Sequence, residues 1–171
     1  MMWKMLLSGF AVLAVTGASF GQATSDGTRQ VVGLFTSTCL SFADDPKAIR
    51  DLMKQHHVPE LNDQGRAIFL RDHVGVGFDA TNMVTRLALV SEDSGVCSAF
   101  AGQANASEIG PMLAATTKAR GLDLVQTSGK ETTSATSSFY KIKVKDHLYR
   151  LVVSSNPIPN ASVQAAITLA P

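Results

Sequence analysis

Cys39 and Cys97 are the two residues of this sequence with the widest choice of chemistry. A cysteine can serve as a nucleophile, a metal ligand or one half of a disulfide. A nucleophile needs a lowered pKa, a neighbouring base and access to solvent, and the apolar strand predicted around Cys97 offers none of these. No C-x-x-C spacing that would indicate a metal site occurs. Each cysteine is therefore the only intramolecular disulfide partner of the other.

The four histidines do not form a recognisable catalytic or metal-binding pattern. His56 and His57 are adjacent on a predicted helix, where neighbouring side chains point about 100° apart. His73 and His147 each stand alone beside an aspartate, as turn residues often do. The H-x-x-x-H and H-E-x-x-H spacings of zinc sites are missing. The sequence therefore predicts no metal ion.

The part of the chain after the predicted signal peptide also lacks motifs for serine hydrolysis and for nucleotide binding. The G-x-S-x-G pattern, which can place a catalytic serine on a sharp turn, occurs only at 17–21, within the predicted signal peptide. The Gly-x-Gly at 75–77 lacks the third glycine and the following helix of a dinucleotide-binding loop. We therefore predict no cofactor. The sequence leaves an enzymatic activity open without indicating one.

The most prominent charged pattern lies near the C-terminus. Lys141, Lys143 and Lys145 alternate with apolar residues, so on a β-strand all three side chains would lie on one face. Arg150 follows on the predicted return strand. This face could bind an anionic partner such as a cell-wall polymer or lipopolysaccharide. The simpler alternative is a solvated strand face whose lysines oppose edge-to-edge pairing.

Residues 1–23 have the layout of a secretory signal peptide: Lys4, an apolar run at 5–15, then small and weakly polar residues. The apolar run is about half of the roughly 20 residues that a membrane-spanning helix needs. We expect cleavage after Ala23, with Gly21 as an alternative position. No cysteine near the cut could accept a lipid. The expected location is therefore the periplasm or the outside of the cell, with no membrane span after removal of the signal.

Export bears directly on the two cysteines. In an oxidising compartment a pair of cysteines is expected to be joined, which predicts a Cys39–Cys97 disulfide. The full chain has 15 basic and 14 acidic residues, and loss of Lys4 with the signal peptide would balance them. Such a balance does not favour binding to nucleic acid. The remainder, 24–171, has the length of a single globular domain.

Hydrophobic periodicity predicts the secondary structure. A first helix from about residue 28 would carry Cys39 on its buried stripe, and a second would begin at Pro46 after an Asp45 cap. The acidic pair 44–45 is most simply read as that cap. Further helices are predicted at 63–70, with Ala67, Ile68 and Leu70 turned inward, and at 107–120, with Ser107 as the cap. His56 is predicted on the buried stripe of the second helix.

Period-two alternation predicts the strands, with a polar, flexible connection at 127–138. The predicted strands are 75–78, 83–90, 96–101, 122–125, 140–145, 149–153 and 163–169. The strand at 96–101 has no strongly polar face, so it should lie centrally. The predicted fold is α+β, with N-terminal helices packed on a mostly antiparallel sheet of about six or seven strands and one further helix between two strand groups.

Several short motifs resemble an uncharacterised family of small exported proteobacterial proteins. They are Asp44-Asp45-Pro46, the pattern L-V-S-x-D-x-G-x-C-x-x-F-A at 89–101, Leu-Val-Val-Ser at 151–154 and Gln-Ala at 164–165. The resemblance covers essentially the whole mature chain. It implies bacterial export and the two-cysteine framework, and it implies no activity. Some members look like lipoproteins, from which this chain departs because it lacks the lipid-accepting cysteine.

These observations predict an exported envelope protein that binds a protein or an anionic surface polymer, with the hairpin at 141–150 as its contact. One alternative is an inhibitor or immunity protein against a secreted toxin or cell-wall enzyme, using loops at 127–138 or 156–160. Another is a hydrolase whose polar residues converge only in three dimensions, for example His73 or His147 with an acid. The sequence does not define an oligomeric state.

Overall fold

The structure, a computed structural model, describes residues 19–131, 136–156, 158 and 161–171. The helices are α1 (Ser19–Ser37), α2 (Pro46–Gln55), α3 (Asp63–Phe69) and α4 (Ala106–Ala119). The strands are β1 (Gly75–Asp79), β2 (Leu87–Glu92), β3 (Cys97–Ala101), β4 (Leu124–Glu131), β5 (Thr136–Val144), β6 (His147–Ser155) and β7 (Ala165–Ala170). The predicted α+β fold is confirmed. Most of the predicted signal peptide, 1–18, lies outside the described residues, and α1 runs through the predicted cleavage position.

The seven strands form one antiparallel sheet in the order β1-β2-β3-β7-β6-β5-β4. Strands β1 to β3 form one antiparallel meander, and strands β4 to β6 form another. The C-terminal strand β7 joins the two by pairing with β3 and β6. Strand β3 is flanked by β2 and β7, and it is buried except for the half-buried Phe100. Its predicted central position is therefore confirmed.

Helices α1, α2 and α4 pack on one face of the sheet, which we call the helix-covered face. Alternate residues of each strand point to this face, where aliphatic side chains meet the apolar stripes of the helices. The fully buried side chains at this interface include Val31, Phe35, Ile49, Ile109 and Leu113 from the helices and Phe78, Leu89, Ile142, Leu151, Ile167 and Leu169 from the strands. Within the described residues, no helix is long and apolar enough to cross a membrane.

The predicted disulfide joins Cys39 to Cys97, with 5.4 Å between the two Cα atoms. Helix α1 ends at Ser37, so Cys39 lies in the tight turns that follow rather than in the helix itself. The Leu40 N–H donates to the Phe35 carbonyl, 3.1 Å away, and this wider turn keeps Cys39 facing the sheet. Both cysteines are buried. The bridge therefore attaches the end of α1 to the middle of the sheet.

The predicted buried positions of the short helices need correction. His56 is exposed at the C-terminal end of α2, beyond the buried Ile49 and Met53. Helix α3 lies on the second face of the sheet, where the Phe69 ring approaches Phe100 with 4.8 Å between ring centroids. A seven-residue helix presents only one narrow contact face. The inward orientation predicted for its neighbours Ala67 and Ile68 is therefore wrong, and only Leu70 of the predicted set is buried.

N-terminal caps define where α2 and α4 begin. The Asp45 carboxylate accepts from the Ala48 N–H at 2.9 Å, which confirms the predicted cap of α2. Asn105, and not Ser107, caps α4, because its side chain accepts from the Ser107 N–H at 3.2 Å. Helix α4 therefore starts earlier than predicted, and Pro111 falls in its second turn rather than its first.

Several strand boundaries also differ from the prediction. Strand β2 begins at Leu87, because the Asn82 side chain accepts from two following backbone N–H groups and forms a turn that leaves Met83 fully exposed. Strands β4 and β5 extend into 127–138, which the sequence predicted to be a flexible connection. Ser128, Thr136, Ser137 and Ser138 pair across the β4–β5 ladder, for example Ser138 with Gly129. Residues 132–135 of that connection, and 157, 159 and 160 of the other predicted loop, lie outside the described residues.

Candidate functional site

The second face of β4, β5 and β6, opposite the helix-covered face, has no helix packed on it in the described part of the chain; we call it the open face. Side chains alternate between the two faces along each strand. On β5, for example, Ile142 is buried on the helix-covered face, and its neighbours in sequence lie on the open face. Its exposed side chains include Val125, Lys141, Lys143, Leu148 and Arg150. Its half-buried side chains include Phe139 and Val152. The open face thus combines cations with apolar area.

Three of the four predicted cations lie together on the open face. Lys141 pairs directly with Arg150 across the β5–β6 ladder, and Lys143 follows two residues further along β5. Like charges directly opposite each other destabilise a sheet, so this pairing does not serve the fold. Lys143 lies 3.7 Å from the Asp146 carboxylate, and both side chains are largely exposed, so this ion pair is weak. No ion pair is found for Lys141 or Arg150 among the described residues.

Lys145 does not share this face, contrary to the sequence prediction. Strand β5 ends at Val144, and Lys145 starts a two-residue turn with a positive φ of 54°. Alternation of side chains stops where the extended backbone stops. The Lys145 ammonium instead lies 3.3 Å from the Asp44 carboxylate. It therefore stabilises the contact between the α1–α2 connection and the β5–β6 turn.

Asp44 also accepts a short hydrogen bond from the hydroxyl of Tyr149, a contact that sequence reasoning missed. Of the acidic pair, only Asp45 is a cap. The hydrogen bond from Tyr149, assisted by Lys145, holds the pKa of Asp44 below its ordinary value despite partial desolvation. Burial, reinforced by the hydrogen bond to Asp44, raises the pKa of Tyr149 to about 12. The two residues are 105 positions apart in sequence, so no local pattern indicated the contact.

This contact predicts an alkaline transition that depends on one tyrosine. The phenol titrates near 10 when unfolded and near 12 when folded, so the folded state holds its proton more tightly. The free energy of unfolding should therefore fall as the pH rises from about 10 to about 12. The chain has two tyrosines, so the phenolate absorbance of wild type minus that of Tyr149→Phe isolates this group. A difference titration centred near 10 would contradict the assignment.

The contact of Asp44 with Tyr149 and Lys145 also predicts how the free energy of unfolding changes at acid pH. The lowered pKa of Asp44 stabilises the folded state above the unfolded carboxyl value of about 3.9. That contribution is lost as the pH falls through the folded pKa. Asp44→Asn should therefore show a shallower loss of stability below about pH 4 than wild type. Equal acid slopes for the two proteins, measured by urea unfolding, would exclude a role for this carboxylate.

The four histidines do not converge on one site in the structure. His56, His57 and His147 are exposed, and the His73 ring lies 3.0 Å from the Glu92 carboxylate at an exposed position. Within the described residues, no group of three or more histidine, cysteine, aspartate or glutamate side chains could hold a metal ion. The disulfide leaves neither cysteine free as a thiol.

A cleft of about 230 Å³ lies between α3 and the ends of β2 and β3. Its walls are mainly apolar, including Phe69 and Phe100, and Asp79 and Arg86 stand among its lining residues. The Asp79 carboxylate accepts from the Thr81 N–H at 3.0 Å, so it serves the local turn. Among the described residues that line this cleft, no two titratable groups are in mutual contact.

The fold and the open face define an α+β protein with a single antiparallel sheet, one face of which is partly free. Comparison with models of protein families, with curated proteins and with solved structures gives no match.

Proposed function

We propose that this protein is a binding module of the bacterial envelope, and that its open face binds an anionic surface polymer. The observation that carries the proposal is the direct cross-strand pairing of Lys141 with Arg150 on a face that no described helix covers. Two adjacent cations cost folding stability, and an anionic ligand would offset that cost. Lys143 extends the positive charge along β5.

The apolar side chains of the open face support the same proposal. Leu148 lies directly opposite Lys143, and Val125 lies directly opposite Lys141. Leu148 is 61% exposed and Val125 is 57% exposed. A polymer that carries both anionic groups and apolar ring or acyl surface would contact both kinds of side chain. This alternation gives a more specific surface than lysines alone.

Export belongs to the proposal as well. It is supported by the disulfide between Cys39 and Cys97, because disulfides persist in oxidising compartments. The signal-peptide pattern of residues 1–23 and the resemblance to exported proteobacterial proteins point the same way. A location in the envelope would bring the open face into contact with anionic polymers.

The test compares the polyanion dextran sulfate with neutral dextran. Wild type should bind dextran sulfate at low salt, and the affinity should fall steeply towards 1 M salt, where the screening length is about 3 Å. Lys141→Gln/Arg150→Gln should weaken binding by roughly two- to thirtyfold, since each exposed ion pair contributes about 0.2–1 kcal/mol. Isothermal titration calorimetry measures both effects.

The matched control is Lys54→Gln/Lys118→Gln, which removes two exposed lysines from α2 and α4. It changes the net charge by the same amount and leaves the open face intact. If both double variants lose affinity equally, binding follows net charge and the proposed face is wrong. If wild type retains a single envelope protein at high salt instead of dextran sulfate at low salt, the partner is a protein.

A further inference from the structure

A groove of about 380 Å³ runs between the first turns of α4 and the ends of strands β4, β5 and β6. It lies on the helix-covered face, so the sheet separates it from the open face. The volume falls within the range of about 300–1,000 Å³ that is usual for small-molecule sites. Its lining residues are Ala106, Ser107, Gly110, Pro111, Gln126, Thr136, Ser138, Tyr140, Val153 and Ser155.

The groove marks a change of chemistry along the inward side of β5. At one end of the strand the inward side chains are Ile142 and Val144, which are buried in the core. Towards the other end they become Tyr140, Ser138 and Thr136. The strand register brings two more polar side chains beside them, because Gln126 pairs with Tyr140 and Ser155 pairs with Thr136.

The described part of the chain leaves the hydrogen-bonding groups of these five side chains without a protein partner. Within the described residues, none of the side chains of Gln126, Thr136, Ser138, Tyr140 and Ser155 forms a hydrogen bond or an ion pair. Together they supply four hydroxyls and one amide, each able both to donate and to accept. No charged residue is among the described lining residues. The groove is therefore polar, neutral and open to a hydrogen-bonding ligand.

Helix α4 contributes a glycine and a proline to one wall of this groove. Glycine inside a helix costs about 1 kcal/mol relative to alanine, yet Gly110 occupies this wall. An added Cβ at Gly110 would lie 2.9 Å from the Tyr140 hydroxyl oxygen. Pro111 has no N–H, so it cannot donate the usual helical hydrogen bond to the carbonyl of Ser107, which also lines the groove. The absence of a side chain at Gly110 thus leaves space for the Tyr140 hydroxyl. The Ser107 carbonyl lacks the hydrogen-bond donor that residue 111 would normally supply.

We infer that this groove binds a neutral saccharide. Sugar hydroxyls match a set of neutral hydroxyl and amide groups, and the Tyr140 ring offers an aromatic surface for the apolar face of a pyranose. An apolar ligand would leave the five polar groups without partners, and a charged ligand would find no opposite charge. An extended peptide is bound mainly through backbone groups at a strand edge, whereas these groups are side chains on a sheet face.

The experiment titrates the full chain with maltotriose, cellotriose, xylotriose and chitotriose, each at millimolar concentration, and follows backbone amide resonances by NMR. At least one trisaccharide should shift the resonances of Ser107, Gly110, Ser138 and Tyr140. Tyr140→Ala should weaken that binding tenfold or more. Tyr140→Phe, which keeps the ring and the fold, should weaken it by about three- to tenfold.

Lys141→Gln is the control, because its side chain projects from β5 on the opposite face. It should leave the trisaccharide affinity unchanged while reducing the affinity for dextran sulfate, so failure of the groove and failure of the open face are distinguishable. Two results would overturn the inference. One is the absence of shifts at the groove with all four sugars. The other is binding that Tyr140→Ala and Tyr140→Phe both leave unchanged in proteins whose thermal unfolding shows them to be folded.

Discussion

Replacing both cysteines, in Cys39→Ala/Cys97→Ala, is expected to lower the free energy of unfolding by about 4 kcal/mol. The bridge spans 58 positions, and a crosslink over a long loop removes much conformational entropy from the unfolded chain. Typical domains are stable by only about 5–15 kcal/mol, so the variant should lose a large share of its stability. Urea unfolding followed by circular dichroism measures the difference.

Reduction provides the control for this prediction. Wild type in excess dithiothreitol should approach the stability of the double alanine variant, whereas the variant itself should not respond to the reductant. The double substitution avoids leaving one free thiol in the core. A loss of less than about 1 kcal/mol would mean that the bridge contributes little beyond the packing of α1 on the sheet.

Gly27→Ala is expected to destabilise the protein by about 1–3 kcal/mol, although the same change stabilises most helices. Gly27 is buried in α1, and an added Cβ would lie 1.9 Å from the carbonyl oxygen of Gln103. Backbone cannot rotate away as a side chain can, so α1 would have to move off the β3–α4 connection. The same connection carries Asn105, whose N–H donates to the Thr28 hydroxyl at 2.7 Å.

Gly33→Ala is the matched control on the same helix. Gly33 is exposed, and nothing lies within 4 Å of an added Cβ. This substitution should therefore stabilise the protein by about 0.5–1 kcal/mol, the ordinary helix preference of alanine over glycine. Opposite signs for the two variants in urea unfolding would establish the close approach of α1 at Gly27. A stabilising Gly27→Ala would contradict the packing described for α1.

Both proposed sites depend on which face of the sheet a side chain occupies. The same strands, β5 and β6, present cations on the open face and hydroxyls in the groove, because successive residues point to opposite faces. A ligand that carries both anionic groups and neutral sugars could not contact the two sites with one short segment. The two proposals are therefore tested separately, with Lys141 and Tyr140 as the discriminating positions.

The sequence by itself determined the features that depend on neighbouring residues. Period-two alternation indicated the β5–β6 hairpin, and Asp45 before Pro46 indicated the start of α2. With only two cysteines, an oxidising location was sufficient to predict the pairing of Cys39 with Cys97. Such signals are local, or involve a single choice of partner, and the structure confirms the elements and the bridge.

Only the tertiary structure decided the features that depend on residues far apart in the chain. Lys145 left the predicted cationic face because a turn with positive φ directs it towards Asp44. Tyr149 reaches the same carboxylate from 105 positions away. The serines and threonines of 127–138 resembled a loop by composition, yet Thr136, Ser137 and Ser138 pair with β6. Long-range pairing overrides local propensity here, because a hydrogen-bonded ladder satisfies backbone groups whatever the side chains prefer.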